Sequence, residues 1–236
     1  MKAQILALVL YLGIVNAKPL DNLMPVSPSD INVAAPPVTV SSVDLPNYLG
    51  RWYQMYANRF VFSTFERDNV CVTADYGLNL DGTVSVENNA RLGSPESENS
   101  TVINGFAYMP DPKEPAKLAV IFPSVGGPPG EYWIIKLGPL EESYPSVPLY
   151  QYAVVTDSNR LTLFVLARNV QEFNARFKDE VLSFIEEEGF TRFYNAPKQT
   201  VQTPDCKYAG VPSEEKSTST RKVEMEDLDR ILFRTA

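Results

Sequence analysis

Few residues in this chain are equipped for bond-making chemistry. There is no histidine among the 236 residues. Ser-His-Asp and Cys-His nucleophilic arrangements are therefore excluded, and the commonest general base and metal ligand are missing. The only thiols are Cys71 and Cys206. Carboxylates are scattered or gathered in runs such as Glu186-Glu187-Glu188, which reads as a solvated helix face rather than a catalytic pair. No catalytic residue, metal site or cofactor is expected. The net charge of −8 also argues against nucleic acid, since phosphate contacts need clustered Lys and Arg.

What remains is non-covalent chemistry by aromatic and aliphatic side chains. Trp52 follows Gly50 at the head of one strand-like run, and Arg168 closes the last such run. A guanidinium laid over the indole would cap one end of a closed barrel. Period-2 alternation puts Leu118, Val120 and Phe122 on one face of their strand. Tyr76, Trp133, Tyr152 and Phe164 are the further candidates for an interior that holds a small hydrophobic ligand. With no histidine and no obvious charge pair in such a pocket, affinity is expected to change little between about pH 6 and 8.

The elements that must position these residues follow from pattern. Residues 1–17 carry a basic start, an apolar run from Ile5 to Val15 and small-residue cleavage chemistry at Val15-Asn16-Ala17, the marks of a signal peptide. Nothing later is long and apolar enough to span a bilayer as a helix. The expected placement is secreted and extracellular, which makes a Cys71–Cys206 disulfide the default. It also makes Asn99-Ser100-Thr101 a glycosylation sequon at Asn99. Residues 18–42, rich in Pro, Ser, Val and Asn, read as an extended arm.

From 43 to 206 the pattern is a single domain. Short β-rich runs are predicted at 52–62, 70–78, 83–92, 101–109, 118–122, 132–137, 150–156 and 161–167. Turn chemistry separates them, with Asp81-Gly82 as the clearest hairpin signal. These runs predict an all-β fold, an eight-stranded up-and-down antiparallel barrel. Phe173, Phe177, Val181, Phe184 and Ile185 then recur at helical spacing, giving one C-terminal α-helix packed outside, with Gly189 as its C-cap. Residues 207–236 form a charged, flexible tail in which Val223, Leu228, Ile231 and Leu232 could make a short amphipathic surface.

With these residues placed, the chain resembles the lipocalins, in the branch of apolipoprotein D and the bacterial lipocalins, over roughly 43–206. Asn47-Tyr48-Leu49-Gly50-Arg51-Trp52-Tyr53 matches the first signature and Leu166-Ala167-Arg168-Asn169 the third. Cys71-Val72-Thr73-Ala74-Asp75-Tyr76 resembles the second strand with its disulfide cysteine, and Cys206 falls where the partner is expected. The second signature, Thr-Asp-Tyr, is absent. Its place reads Lys136-Leu137-Gly138-Pro139, followed by an inserted loop through Pro148. Thr156-Asp157 sits one hairpin too late and reads as turn chemistry. The resemblance implies a carrier of a fatty acid, retinoid, sterol or pigment. The alternatives are an acidic structural or extracellular-matrix protein, or an enzyme on the same barrel, which as a thiol-dependent isomerase would need a free cysteine.

Overall fold

The computed structural model describes residues 35–143 and 147–210. The leader, the arm up to residue 34 and the tail beyond residue 210 lie outside the described residues. A short helix α1 (Leu45–Tyr48), with Pro46 in its first turn, leads into strand β1 (Gly50–Asn58). Gly50 makes the corner at φ +92°, a conformation costly for any residue with a Cβ. The strand ends four residues earlier than the sequence pattern predicts. Asn58 turns the chain: its side chain accepts from the Val61 backbone N–H at 3.0 Å and donates to the Leu161 carbonyl at 2.7 Å. That cap starts helix α2 (Arg59–Thr64).

Strands β2 (Asn69–Leu78), β3 (Val84–Leu92), β4 (Ser100–Tyr108), β5 (Lys117–Ile121) and β6 (Gly130–Leu137) pair antiparallel in sequence order. A separate two-stranded hairpin follows, β7 (Leu140–Ser143) with β8 (Val147–Tyr150), so the inserted segment is organised rather than a plain loop. β9 (Tyr152–Thr156) returns to pair with β6, and β10 (Leu163–Ala167) pairs with β9. β10 then pairs with β1, Tyr53 opposite Ala167 and Ala57 opposite Phe164, and the barrel closes at eight strands. A ninth, β11 (Pro197–Gln199), lies against the far end of β1. The Asp81-Gly82 hairpin is present, but its loop is longer than a two-residue turn. Gly82 N–H reaches the Asn79 carbonyl at 3.0 Å, Asn79 N–H reaches the Thr83 carbonyl at 2.8 Å, and Gly82 supplies φ +84°.

After β10, α3 (Val170–Glu172) is capped by the Asn169 side chain, which accepts from Glu172 N–H at 3.0 Å. A π-helical turn (Phe173–Phe177) joins it to α4 (Lys178–Glu187). Phe173, Phe177, Val181 and Ile185 bury against Tyr56, Tyr152, Val154, Leu163 and Val165 on the outside of the barrel. The helix stops in a Schellman arrangement. Gly189 N–H bonds the Glu186 carbonyl, Phe190 N–H bonds the Ile185 carbonyl, and Gly189 lies at φ +87°. Beyond β11 the chain crosses to β2, where Cys206 is disulfide-bonded to Cys71. Cys71 sits at a register shift in β2 with φ +53°, and its N–H is held by the Val201 carbonyl at 2.9 Å.

Candidate ligand cavity in the barrel

Strand polarity puts the start of β1 and the end of β10 at one end of the barrel, and α1 crosses beneath them. Trp52 is fully buried there, its Nε1–H donating to the Tyr48 carbonyl at 2.8 Å. The Arg168 guanidinium lies 3.7 Å from the centre of the Trp52 rings. It donates to the carbonyls of Arg51 at 2.7 Å, Leu49 at 2.8 Å, Tyr48 at 2.9 Å and Asn47 at 3.2 Å. Arg168 Nε also reaches the Tyr150 carbonyl at 3.3 Å. One cation thus stitches α1, β1 and the end of β8 together. The missing Thr-Asp-Tyr turn does not disturb this arrangement. In its place Gly138 packs under Tyr152, where a Cβ would lie 2.6 Å from a ring carbon. Asp157 is turn chemistry, accepting from the N–H groups of Asn159, Leu161 and Thr162.

Above this floor the barrel encloses a cavity of about 210 Å³. Tyr76, Leu118, Val120, Phe122 and Phe164 line it, as the alternation predicts. Trp133 and Tyr152 do not. Trp133 lies on the outer side of β6 with Lys117 Nζ 4.3 Å from its ring centre, while its neighbours Tyr132 and Ile134 face inward. Tyr152 packs under the helix against Phe173 and Phe177 and donates its hydroxyl proton to Glu180 at 2.9 Å. The cause is register. Period 2 fixes faces only relative to a known anchor, and neither β6 nor β9 carries one in the sequence.

Three tyrosines form a polar cluster in the cavity wall. Tyr132 Oη lies 2.7 Å from Tyr48 Oη and 3.2 Å from Tyr76 Oη. The Tyr48 and Tyr76 rings run nearly parallel, with an interplanar angle of 7°. Burial pushes the Tyr76 phenol up to about 12 and raises those of Tyr48 and Tyr132 well above the ordinary tyrosine value. All three stay neutral hydroxyls at physiological pH. Tyr48 belongs to the first signature, a pattern that does not by itself show where its hydroxyl points. Tyr132 stands beside Trp133, and two adjacent aromatics on one strand do not announce which faces inward.

A second polar group stands on β1 and the loop after α2. Gln54 Nε2 donates to Glu66 Oε2 at 2.6 Å and to Thr200 Oγ1 at 3.1 Å, and both Gln54 and Glu66 line the cavity. Burial raises the Glu66 carboxyl to about 7, the Gln54 contact opposing it. This corrects the expectation of a cavity indifferent to pH between 6 and 8. Glu66 stands in a loop and carries no periodic signal that sequence reasoning could use. On the same inner surface the Asn88 Oδ1 is buried without a partner among the described residues. Both cysteines are consumed in the disulfide. Asn99 is exposed at the end of the β3–β4 loop.

Comparison with known proteins converges on one family. A lipocalin-like domain model matches residues 43–196. Temperature-induced lipocalin-1 of Arabidopsis thaliana is 31% identical over 156 residues, covering 63% of this chain and 75% of that protein. Outer membrane lipoprotein Blc of Vibrio cholerae is 30% identical over 155 residues, 64% of this chain and 79% of Blc. Apolipoprotein D of Mus musculus is 37% identical over 102 residues, 43% of this chain and 49% of its own length. That last match takes in about half of the relative.

Proposed function

This chain belongs to the lipocalin family, and from that membership we propose that it is a secreted carrier that binds one small hydrophobic molecule inside the barrel. The observation that carries the reading is the cavity. Apolar side chains such as Val84, Val86, Leu118, Val120, Phe122 and Phe164 surround about 210 Å³ of space within a closed sheet. Burying a guest there gains roughly 25 cal/mol per Å² of apolar area, and a few hydroxyls fix its orientation. The volume is small beside the ~300–1,000 Å³ of common ligand pockets, which favours a slim guest over a bulky one. Tyr76, Leu118, Val120, Phe122 and Phe164 are the proposed contacts, joined by Tyr48 and Tyr132.

Secretion is supported by the leader pattern at residues 1–17 and by the Cys71–Cys206 bridge, since such bonds persist in oxidising compartments. The Asn99 sequon, exposed near the barrel rim, is the proposed glycosylation site. A thiol-dependent isomerase is disfavoured, because neither cysteine is free to act as nucleophile.

Organic extraction of the native protein followed by mass spectrometry tests the proposal. It should release an apolar molecule in one-to-one ratio. Calorimetric titration of the stripped protein should return one site, abolished by Phe164→Glu in a chain that still folds. Absence of binding across fatty acids, retinoids, sterols and fatty alcohols would overturn it, and so would undiminished binding by Phe164→Glu.

A further inference from the structure

The cavity wall is one-sided in charge. Among its lining residues stand two carboxylates, Glu66 and Glu131, and no lysine or arginine. The cation at the floor, Arg168, is committed to backbone carbonyls and the Trp52 ring. Resting on the carrier reading, we propose that the ligand's polar head is a hydrogen-bond donor, an ammonium or hydroxyl, received at Glu66, and that anionic carboxylate heads are rejected.

The geometry gives Glu66 this role. Its backbone is pinned after α2, with Glu66 N–H on the Val61 carbonyl at 3.1 Å and Asn69 N–H on the Glu66 carbonyl at 3.1 Å. Gln54 fixes the carboxyl through Oε2 at 2.6 Å, and no partner of Oε1 exists among the described residues. Gln54 is in turn braced by Thr200, and its own carbonyl by Gln202 Nε2 at 3.0 Å. The acceptor is thus preorganised, so receiving a donor costs little reordering. Asn88 Oδ1 adds a buried acceptor in the wall. Glu131 differs. Its Oε2 is already occupied by the Ser158 N–H at 3.0 Å and hydroxyl at 2.6 Å, in an exposed position. At Glu66 a carboxylate head would meet like charge with no counter-ion among the lining residues, in a protein whose net charge of −8 also repels anions on approach.

A matched ten-carbon series tests this: decylamine, decanol and decanoate, titrated at pH 8 into the stripped full chain. Decylamine is expected to bind at least ten times more tightly than decanoate, with decanol between them. Glu66→Gln should cut the amine-to-acid ratio below about three. Should that variant fail to fold, the wild-type ratio alone decides. Decanoate binding as tightly as decylamine, or an unchanged ratio in a folded Glu66→Gln protein, would overturn the inference while leaving the carrier reading intact. Failure of all three probes and of the wider ligand panel would bring down both.

Discussion

On the outer face of β1, β9 and β10, Met55, Val154, Leu163 and Val165 meet Phe173, Val181 and Ile185 with essentially no exposure. On the inner face of the same barrel, Tyr76, Leu118, Val120, Phe122, Tyr132 and Phe164 are only partly buried and border open space. One sheet therefore serves two cores, one filled and one left underfilled. Close packing stabilises the fold from outside, beneath the helix. The interior gives up that packing and keeps room, together with buried acceptors that a purely structural core would have satisfied or removed.

The sharpest break of this contrast is to hollow the filled side. Phe173→Ala removes a fully buried ring that touches Tyr56 and Tyr152, and should cost about 4 kcal/mol by chemical denaturation. A loss below about 1 kcal/mol would mean the helix is dispensable to the barrel. Replacing both cysteines with serine comes next. Releasing a loop with a sequence separation of 135 should cost about 3 kcal/mol, matched by reduction of the wild type.

The third prediction sharpens the inner side. Burial raises the Glu66 carboxyl from its ordinary 4.5 to about 7, so the fold holds that proton more firmly than the unfolded chain does. The resulting stability is present below about pH 4.5 and is lost as pH rises through about 7. Glu66→Gln should therefore gain about 2 kcal/mol relative to wild type between pH 5 and pH 8. Parallel pH curves for the two proteins would show the carboxyl to be solvated. Fourth, a double-mutant cycle on Trp52→Ala and Arg168→Ala should return a coupling of about 1 kcal/mol, because the guanidinium lies on the indole. Additive losses would deny that contact. The smallest effect belongs to the cavity wall. Val120→Ala should cost under about 1 kcal/mol, since the lost methyls already border open space, while weakening ligand binding several-fold.

The strands, the closing Trp52–Arg168 pair and the helical stripe were legible because each rests on a local period or a strong residue type. Faces were legible only where register runs clean. β5 pairs without interruption with β4 and β6, and its alternating Leu118 and Val120, with Phe122 just past its end, line the cavity. On β6 Tyr132, Trp133, Ile134 and Ile135 alternate in, out, in and out, and period 2 alone does not say which of the adjacent Tyr132 and Trp133 faces inward. The β7–β8 hairpin is not legible in the sequence because Pro139 and Pro148 read as loop signals, although Pro148 is tolerated in an isolated two-stranded pair. Glu66 is not legible because its place in the wall comes from a contact with Gln54 twelve residues away, made by loop geometry that composition does not encode.

The Cys71–Cys206 bond also decides how this protein would answer a mechanical pull. Tension applied at the two ends travels from residue 71 across the sulfurs to residue 206 and bypasses β2 through β11. Only α1, β1 and α2, with the flanking arms, lie on the load path. Stretching the oxidised chain would strip β1 out of the barrel wall and then stall. The 135-residue separation behind the bond, roughly 450 Å of contour, would be paid out only after reduction.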